Sequence, residues 1–179
     1  MPASSANEAL STPVRVYVAA GSNIDPVVNL NEALRLLRAR FPDLVASPAY
    51  ANVAVGFTGA DFVNLAVGFT TTLSLADLLT ELHAIETACG RGRLDEKWAP
   101  RRMDLDVLLY GAAVGEFPGA IVPRPDLVRR AYMLRPLADI APLAMHPSLG
   151  ATIGDLWARF DQGAHAMRRI DLAGEGAPA

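Results

Sequence analysis

Residues Met103–Gly111 read MDLDVLLYG, a short apolar-rich run closed by a glycine. Its length and its VLLY half suit a strand packed inside a sheet. The segment before it is helical in pattern: Leu75, Leu78, Leu82 and Ile85 recur at helical spacing, and Gly90 supplies a stop. Ser74 and Asp77 make a capping-box pattern at the start of that helix. Phe62–Thr71, FVNLAVGFTT, precedes it as another strand, and a further strand is expected near Ala46–Val55. GFTGAD forms the loop between those two strands.

Val14–Ala20, VRVYVAA, is the first strand, and Gly21–Asn23 supplies turn residues after it. Asn29 and Glu32 form a capping-box pattern ahead of Leu30, Ala33, Leu34 and Leu37, and Pro42 ends that helix. The order is β-α-β-β-α-β, the split βαβ pattern. The expected class is therefore α+β, a ferredoxin-like βαββαβ sandwich with a C-terminal extension. Beyond Gly111 the chain is rich in proline, with a short helix expected near Asp126–Arg130 and a last one near Thr152–Phe160, capped by Thr152 and Asp155. The sequence reads as one domain over residues 14–160. Residues 1–13 and 172–179 are small and polar enough to be disordered tails.

Composition narrows the function. The chain has 179 residues, 51% of them hydrophobic and 20% charged, as in a globular protein with a full core. The acidic balance, 16 Lys+Arg against 19 Asp+Glu, argues against general nucleic-acid binding. The single cysteine, Cys89, excludes an internal disulfide framework and fits a reducing compartment. The N-terminus has no basic segment leading an apolar one, and no apolar run is long enough to span a bilayer. The expectation is a cytoplasmic protein that engages neither membrane nor nucleic acid.

Against this acidic background, Arg91, Arg93, Lys97, Arg101 and Arg102 crowd into one stretch directly before Asp104 and Asp106. On a strand those aspartates share a face, with Cα atoms about 6.5–7 Å apart. Two carboxylates so placed repel unless something positive sits between them. Mg²⁺ accepts one or two carboxylates and completes its shell with water and phosphate oxygens. Arginine forks grip phosphate bidentately. Together these groups suit phosphoryl or pyrophosphoryl transfer, where catalysis is mainly positioning and charge neutralisation. No Walker-type G-x-x-x-x-G-K-[ST] and no nucleophile elbow occur, and His83, His146 and His165 are too scattered for a zinc site.

The stretch GRGRLDEKWAPRRMDLDVLLYG, Gly90–Gly111, resembles the hallmark segment of the 6-hydroxymethyl-7,8-dihydropterin pyrophosphokinase family. GSN after the first strand, DFVN at Asp61–Asn64, IE at Ile85–Glu86 and VPRPDLVRRAYMLRPLADIAP at Val122–Pro142 follow the family in order. The resemblance spans roughly Val14–Phe160. It implies a monomer that moves pyrophosphate from ATP to the hydroxymethyl group of a reduced pterin, releasing AMP, in folate biosynthesis. Asp104 and Asp106 would hold two Mg²⁺ ions. Arg91 and Arg101 would steady the transferring group, with Trp98 on the same loop. Arg93, Arg124 and Arg130 would also meet phosphate. His83, Glu86, Val107 and Ile121 would surround the adenosine. Val55 and Gly56 would line the pterin pocket, Phe62 and Tyr132 would sandwich the ring, and Asn64 would pair with its polar edge.

Four positions depart from the family pattern: Arg124 stands where many members have histidine, NVAVG at Asn52–Gly56 lacks the usual proline, and Leu94 and Gly119 replace basic residues. They bear on ATP affinity and pterin selectivity more than on reaction type. Two other readings stay open: a divergent paralogue acting on another pterin, and a non-catalytic ligand- or RNA-binding module. Against the module, the aromatic R-G-F-G-F-V type of strand is absent and both aspartates are retained.

Overall fold

The computed structural model describes residues 10, 12–52, 61–90 and 103–173. Its centre is an antiparallel sheet ordered β5-β1-β4-β3-β8, formed by β1 (Val14–Ser22), β3 (Ala49–Asn52), β4 (Phe62–Thr71), β5 (Asp104–Tyr110) and β8 (Arg168–Ile170), with β2 (Val45–Ala46) also paired to β4. A separate hairpin joins β6 (Gly115–Phe117) to β7 (Ala120–Val122).

β1 and β4 are buried on both faces, which is why they read as nearly unbroken apolar runs. On one face, Val16, Val18, Ala20, Val63, Leu65, Val67 and Phe69 meet α1 (Pro26–Arg40) and α2 (Leu75–Ala88). The stripe Leu30, Ala33, Leu34 and Leu37 is buried there as its spacing requires. On the other face, Ala19 and Ala66 meet α3 (Ala131–Ile140) and α4 (Ile153–Ala158) through Met133, Leu134, Leu137 and Ile153.

Local signals acted as expected at two helix starts. The Ser74 hydroxyl accepts from Asp77 N at 3.1 Å, and the Thr152 hydroxyl accepts from Asp155 N at 3.1 Å. Gly90 takes φ 88°, the left-handed conformation expected just past α2.

Elsewhere the structure corrects the reading. The first strand continues through Gly21 and Ser22 before the turn. α1 starts four residues earlier than its capping pattern suggests, because Pro26 presets the first helical position and Asp25 is the cap. Asn29 lies inside that helix, with its amide Nδ2 donating to Ile24 O at 2.6 Å. The strand expected over residues 46–55 breaks at Ser47-Pro48, since proline cannot donate to a ladder; its part beyond Asn52 lies outside the described residues. The short helix near Asp126 is a 3₁₀ turn, Pro125–Val128, and the principal helix of this region, α3, follows it. Pro136 inside α3 masks its helical signal. Among the described residues no helix is long and apolar enough to cross a membrane.

Candidate active site

Strand register brings the predicted residues together. Asp104 lies opposite Gly21, Gly21 lies opposite Asn64, and Asn64 lies opposite Tyr50, one row running across four strands. The next row sets Asp106 beside Ala19 and Ala19 beside Ala66. Directly paired residues share a face, so the carboxylates and the Asn64 amide all belong to the face on which α3 and α4 pack. Two inter-strand spacings separate Asp104 from Asn64, roughly 10 Å.

Between the two lies a glycine, Gly21, while Ala19 and Ala66 of the next row are buried against α3 and α4. A Cβ on Gly21 would come within 2.5 Å of Asn64 Oδ1, so glycine is what lets the amide lie flat across β1. Asn64 Nδ2 donates to Asn52 Oδ1 at 2.6 Å. Phe62 stands opposite Asn52 and on the same face as Asn64.

A β-bulge shapes the aspartate side. The β1–β5 register shifts between Tyr17 and Val18, leaving Leu108 as the extra residue on β5. Its carbonyl accepts the Arg124 N–H at 2.9 Å, which anchors Arg124 beside the strand. The Arg124 guanidinium then lies 3.3 Å from Asp106. Its Nε is buried without a hydrogen-bond partner among the described residues. A buried cationic donor without a partner, on a guanidinium beside Asp106, fits an anionic, metal-bearing ligand.

Tyr132 completes this side. Burial pushes its phenol above the usual range, while the cations Arg130 and Arg124 pull it down and Asp126 and Asp106 push it up. Tyr132 is thus grouped with Arg124, Arg130 and Asp106. α3, which carries Tyr132, is tied to β3: the Tyr50 hydroxyl donates to Asp139 Oδ2 at 2.5 Å, and Arg135 Nε donates to Asp139 Oδ1 at 3.1 Å. Arg135 also covers the rings of Tyr50 and Trp157.

The residues expected around adenosine occupy a different place. Val107 is buried in the core on the opposite face from Asp106. Glu86, only 3% exposed, accepts the Leu105 N–H at 2.8 Å and so braces the outer edge of β5. His83 is exposed on α2, and Ile121 is exposed on β7. Leu79, one turn before His83, borders Gly119 of the β6–β7 hairpin. These four residues therefore group where α2, β5 and β7 adjoin, beside the carboxylates and not among them. Val55, Gly56, Arg91, Arg93, Trp98 and Arg101 lie outside the described residues.

Three residues escaped the sequence reading: Asn52, Tyr50 and Asp139. Asn52 was visible only as a departure from a motif, and its partner becomes evident only once β3 is registered against β4.

As a metal site, the described residues offer two carboxylates and no group of three or more His, Cys, Asp or Glu. An oxygen-only pair suits Mg²⁺, which takes its other ligands from water and phosphate.

A family model described as 7,8-dihydro-6-hydroxymethylpterin-pyrophosphokinase matches residues 17–142. A Pseudomonas aeruginosa protein named 2-amino-4-hydroxy-6-hydroxymethyldihydropteridine pyrophosphokinase is 43% identical over 133 residues, covering 72% of this chain and 81% of the relative. A Synechocystis protein of the same name is 39% identical over 147 residues, covering 80% of this chain and 75% of the relative. A solved Plasmodium falciparum HPPK-DHPS chain with pteroate matches 88% of this chain at TM-score 0.67 and 13% identity. The present chain spans only 43% of that longer one, and at this identity the likeness speaks to fold alone. With the family model spanning most of the sheet and the site, and close relatives covered over most of their length, the chain belongs to the 7,8-dihydro-6-hydroxymethylpterin-pyrophosphokinase family.

Proposed function

We propose that this protein transfers the pyrophosphoryl group of ATP to the hydroxymethyl group of 6-hydroxymethyl-7,8-dihydropterin, releasing AMP, as a step of folate biosynthesis. The observation that carries the reading is the register that sets Asp104, Asp106 and the Asn64 amide on one face of the sheet. The pterin hydroxyl attacks the β-phosphorus in line, the new O–P bond forms, the hydroxyl proton is released to solvent, and the bond from that phosphorus to the AMP oxygen breaks, AMP leaving with the electron pair. No covalent intermediate with the protein is required.

Each residue then has a task. Asn64 offers an acceptor and a donor to the polar edge of the pterin. Phe62 and Tyr132 flank its ring faces. Arg124 and Arg130 bind phosphate oxygens, with Arg91, Arg93 and Arg101 as further cations and Trp98 closing over the site. Asp104 and Asp106 would hold Mg²⁺, two ions being expected with ATP. When bound, the metal neutralises the charge that builds up on the transferring phosphates. His83, Glu86, Val107 and Ile121 border the adenosine, and Val55 and Gly56 line the pterin pocket.

The same reading takes the fold as ferredoxin-like, supported by the neighbour order β5-β1-β4-β3 with α1 and α2 on one face. It takes the catalytic domain as residues 14–160 and the protein as a cytoplasmic monomer. Incubation with Mg-ATP and the hydroxymethylpterin tests the assignment. AMP formed only in the presence of both pterin and Mg²⁺ supports it; ADP as the main product, or equal ATP turnover without pterin, sinks it.

A further inference from the structure

We infer that Asn52 is a specificity-determining positioning residue, which locks the Asn64 amide in the one orientation that reads a 2-amino-4-oxo pterin edge. The inference rests on the proposed pterin role of Asn64 and extends it to a residue outside that set.

The geometry is that of a lock with two sides. On the β3 side, Asn64 Nδ2 donates to Asn52 Oδ1 at 2.6 Å. On the β1 side, Asn64 Oδ1 lies over Gly21, so close that an added Cβ would stand 2.5 Å from it. Asn64 is 8% exposed, so its amide has little freedom to leave this plane. Turning it over while Asn52 stays put would bring two carbonyl oxygens to hydrogen-bond distance, both acceptors, with no proton between them. Asn52 also makes a further interaction of its own.

The consequence is chemical. An amide can present its acceptor and donor in either order by a half-turn, so an unlocked asparagine reads a ligand edge and its inverse about equally well. With one N–H directed to Asn52, Asn64 presents Oδ1 toward β1 and its second N–H toward β3. A 2-amino group is a donor, whereas the 2-oxo group of the corresponding lumazine is an acceptor. The locked amide distinguishes them; the unlocked one adapts to both. A buried polar group left facing the wrong partner is the strongest source of such discrimination.

The test compares wild type with Asn52→Leu, which has similar bulk and no acceptor, and Asn52→Asp, which keeps an acceptor and cannot donate. Direct binding and kcat/KM are measured with 6-hydroxymethyl-7,8-dihydropterin and with its 2-oxo analogue, alongside KM for ATP. Wild type and Asn52→Asp are expected to prefer the 2-amino compound. In Asn52→Leu the preference should fall about tenfold, the worth of one hydrogen bond, with KM for ATP unchanged. Asn52→Ala gives the same readout if leucine disturbs the edge of the sheet. A preference that survives in both Leu and Ala variants overturns the inference, even if both compounds bind more weakly, because Asn52 would then be structural only. Loss of preference in Asn52→Asp equal to that in Asn52→Leu also overturns it. Failure of the wild type to bind the pterin at all counts instead against the proposed function.

Discussion

The Arg124 guanidinium stands 3.3 Å from the Asp106 carboxylate, and each side chain keeps 34% of its surface exposed. A pair this accessible contributes under about 1 kcal/mol. It is a weak internal counter-ion that a divalent cation and a phosphate together can take apart.

Arg124→Ala is therefore expected to leave the carboxylates less neutralised without metal, lowering stability by about 0.5 kcal/mol. Added Mg²⁺ should raise the variant's Tm more than it raises the wild type's, because Arg124 no longer competes for Asp106. ATP should bind the variant more weakly. Thermal unfolding across a Mg²⁺ titration measures the first effect, and identical Mg²⁺ dependence in the two proteins would show that Arg124 does not guard the pair.

Asp104→Ala and Asp106→Ala should each reduce turnover by on the order of 10³-fold, since a missing metal ligand removes several kcal/mol of charge stabilisation. Both residues are only half-buried at the strand end, so the fold should persist. Circular dichroism with steady-state AMP release separates the two effects. Wild-type rate in saturating Mg²⁺ for either variant would remove that residue from the metal site.

Glu86→Ala should destabilise the fold by about 1–3 kcal/mol, because it leaves the buried Leu105 N–H without its acceptor. Glu86→Gln keeps a carbonyl for that bond and should lose less. Since Leu105 lies between Asp104 and Asp106, the alanine variant should also lose activity at temperatures where it remains folded. Urea unfolding ranks the variants, and equal loss in Gln and Ala would mean that charge, not the hydrogen bond, is what Glu86 provides.

His146 supplies a pH dependence. It is 6% exposed, its Nδ1 accepts the Ser148 N–H at 3.2 Å, and burial holds its pKa below the ordinary 6.5. The unfolded chain takes up a proton near 6.5 while the folded imidazole resists it. Its contribution is thus complete above that pH and is lost as pH falls toward the folded value. Stability should fall as pH drops from about 7.5 to about 5.5 because of this group, and His146→Gln should flatten the profile. Parallel profiles for both proteins, from urea unfolding at each pH, would exclude His146 as the cause.

The sequence by itself determined the elements whose signals are local. Ser74 caps α2 and Thr152 caps α4 because a side-chain oxygen finds an amide three residues on. β1, β4 and β5 follow from apolar runs, and the period of two alone puts Asp104 and Asp106 on one face. Where two local signals competed, context decided: Pro26 overrode the Asn29–Glu32 pattern in starting α1, and Pro136 hid α3 although its apolar residues pack well. Only the tertiary structure decided what surrounds the aspartates. The row joining Asp104 to Asn64 through Gly21, the Leu108 bulge that holds Arg124, and the Asn52–Asn64 pair all depend on register between strands distant in the chain. Register is set by how both faces of the sheet are covered and by how the connections close, and these are cooperative, long-range effects that no short window of sequence contains.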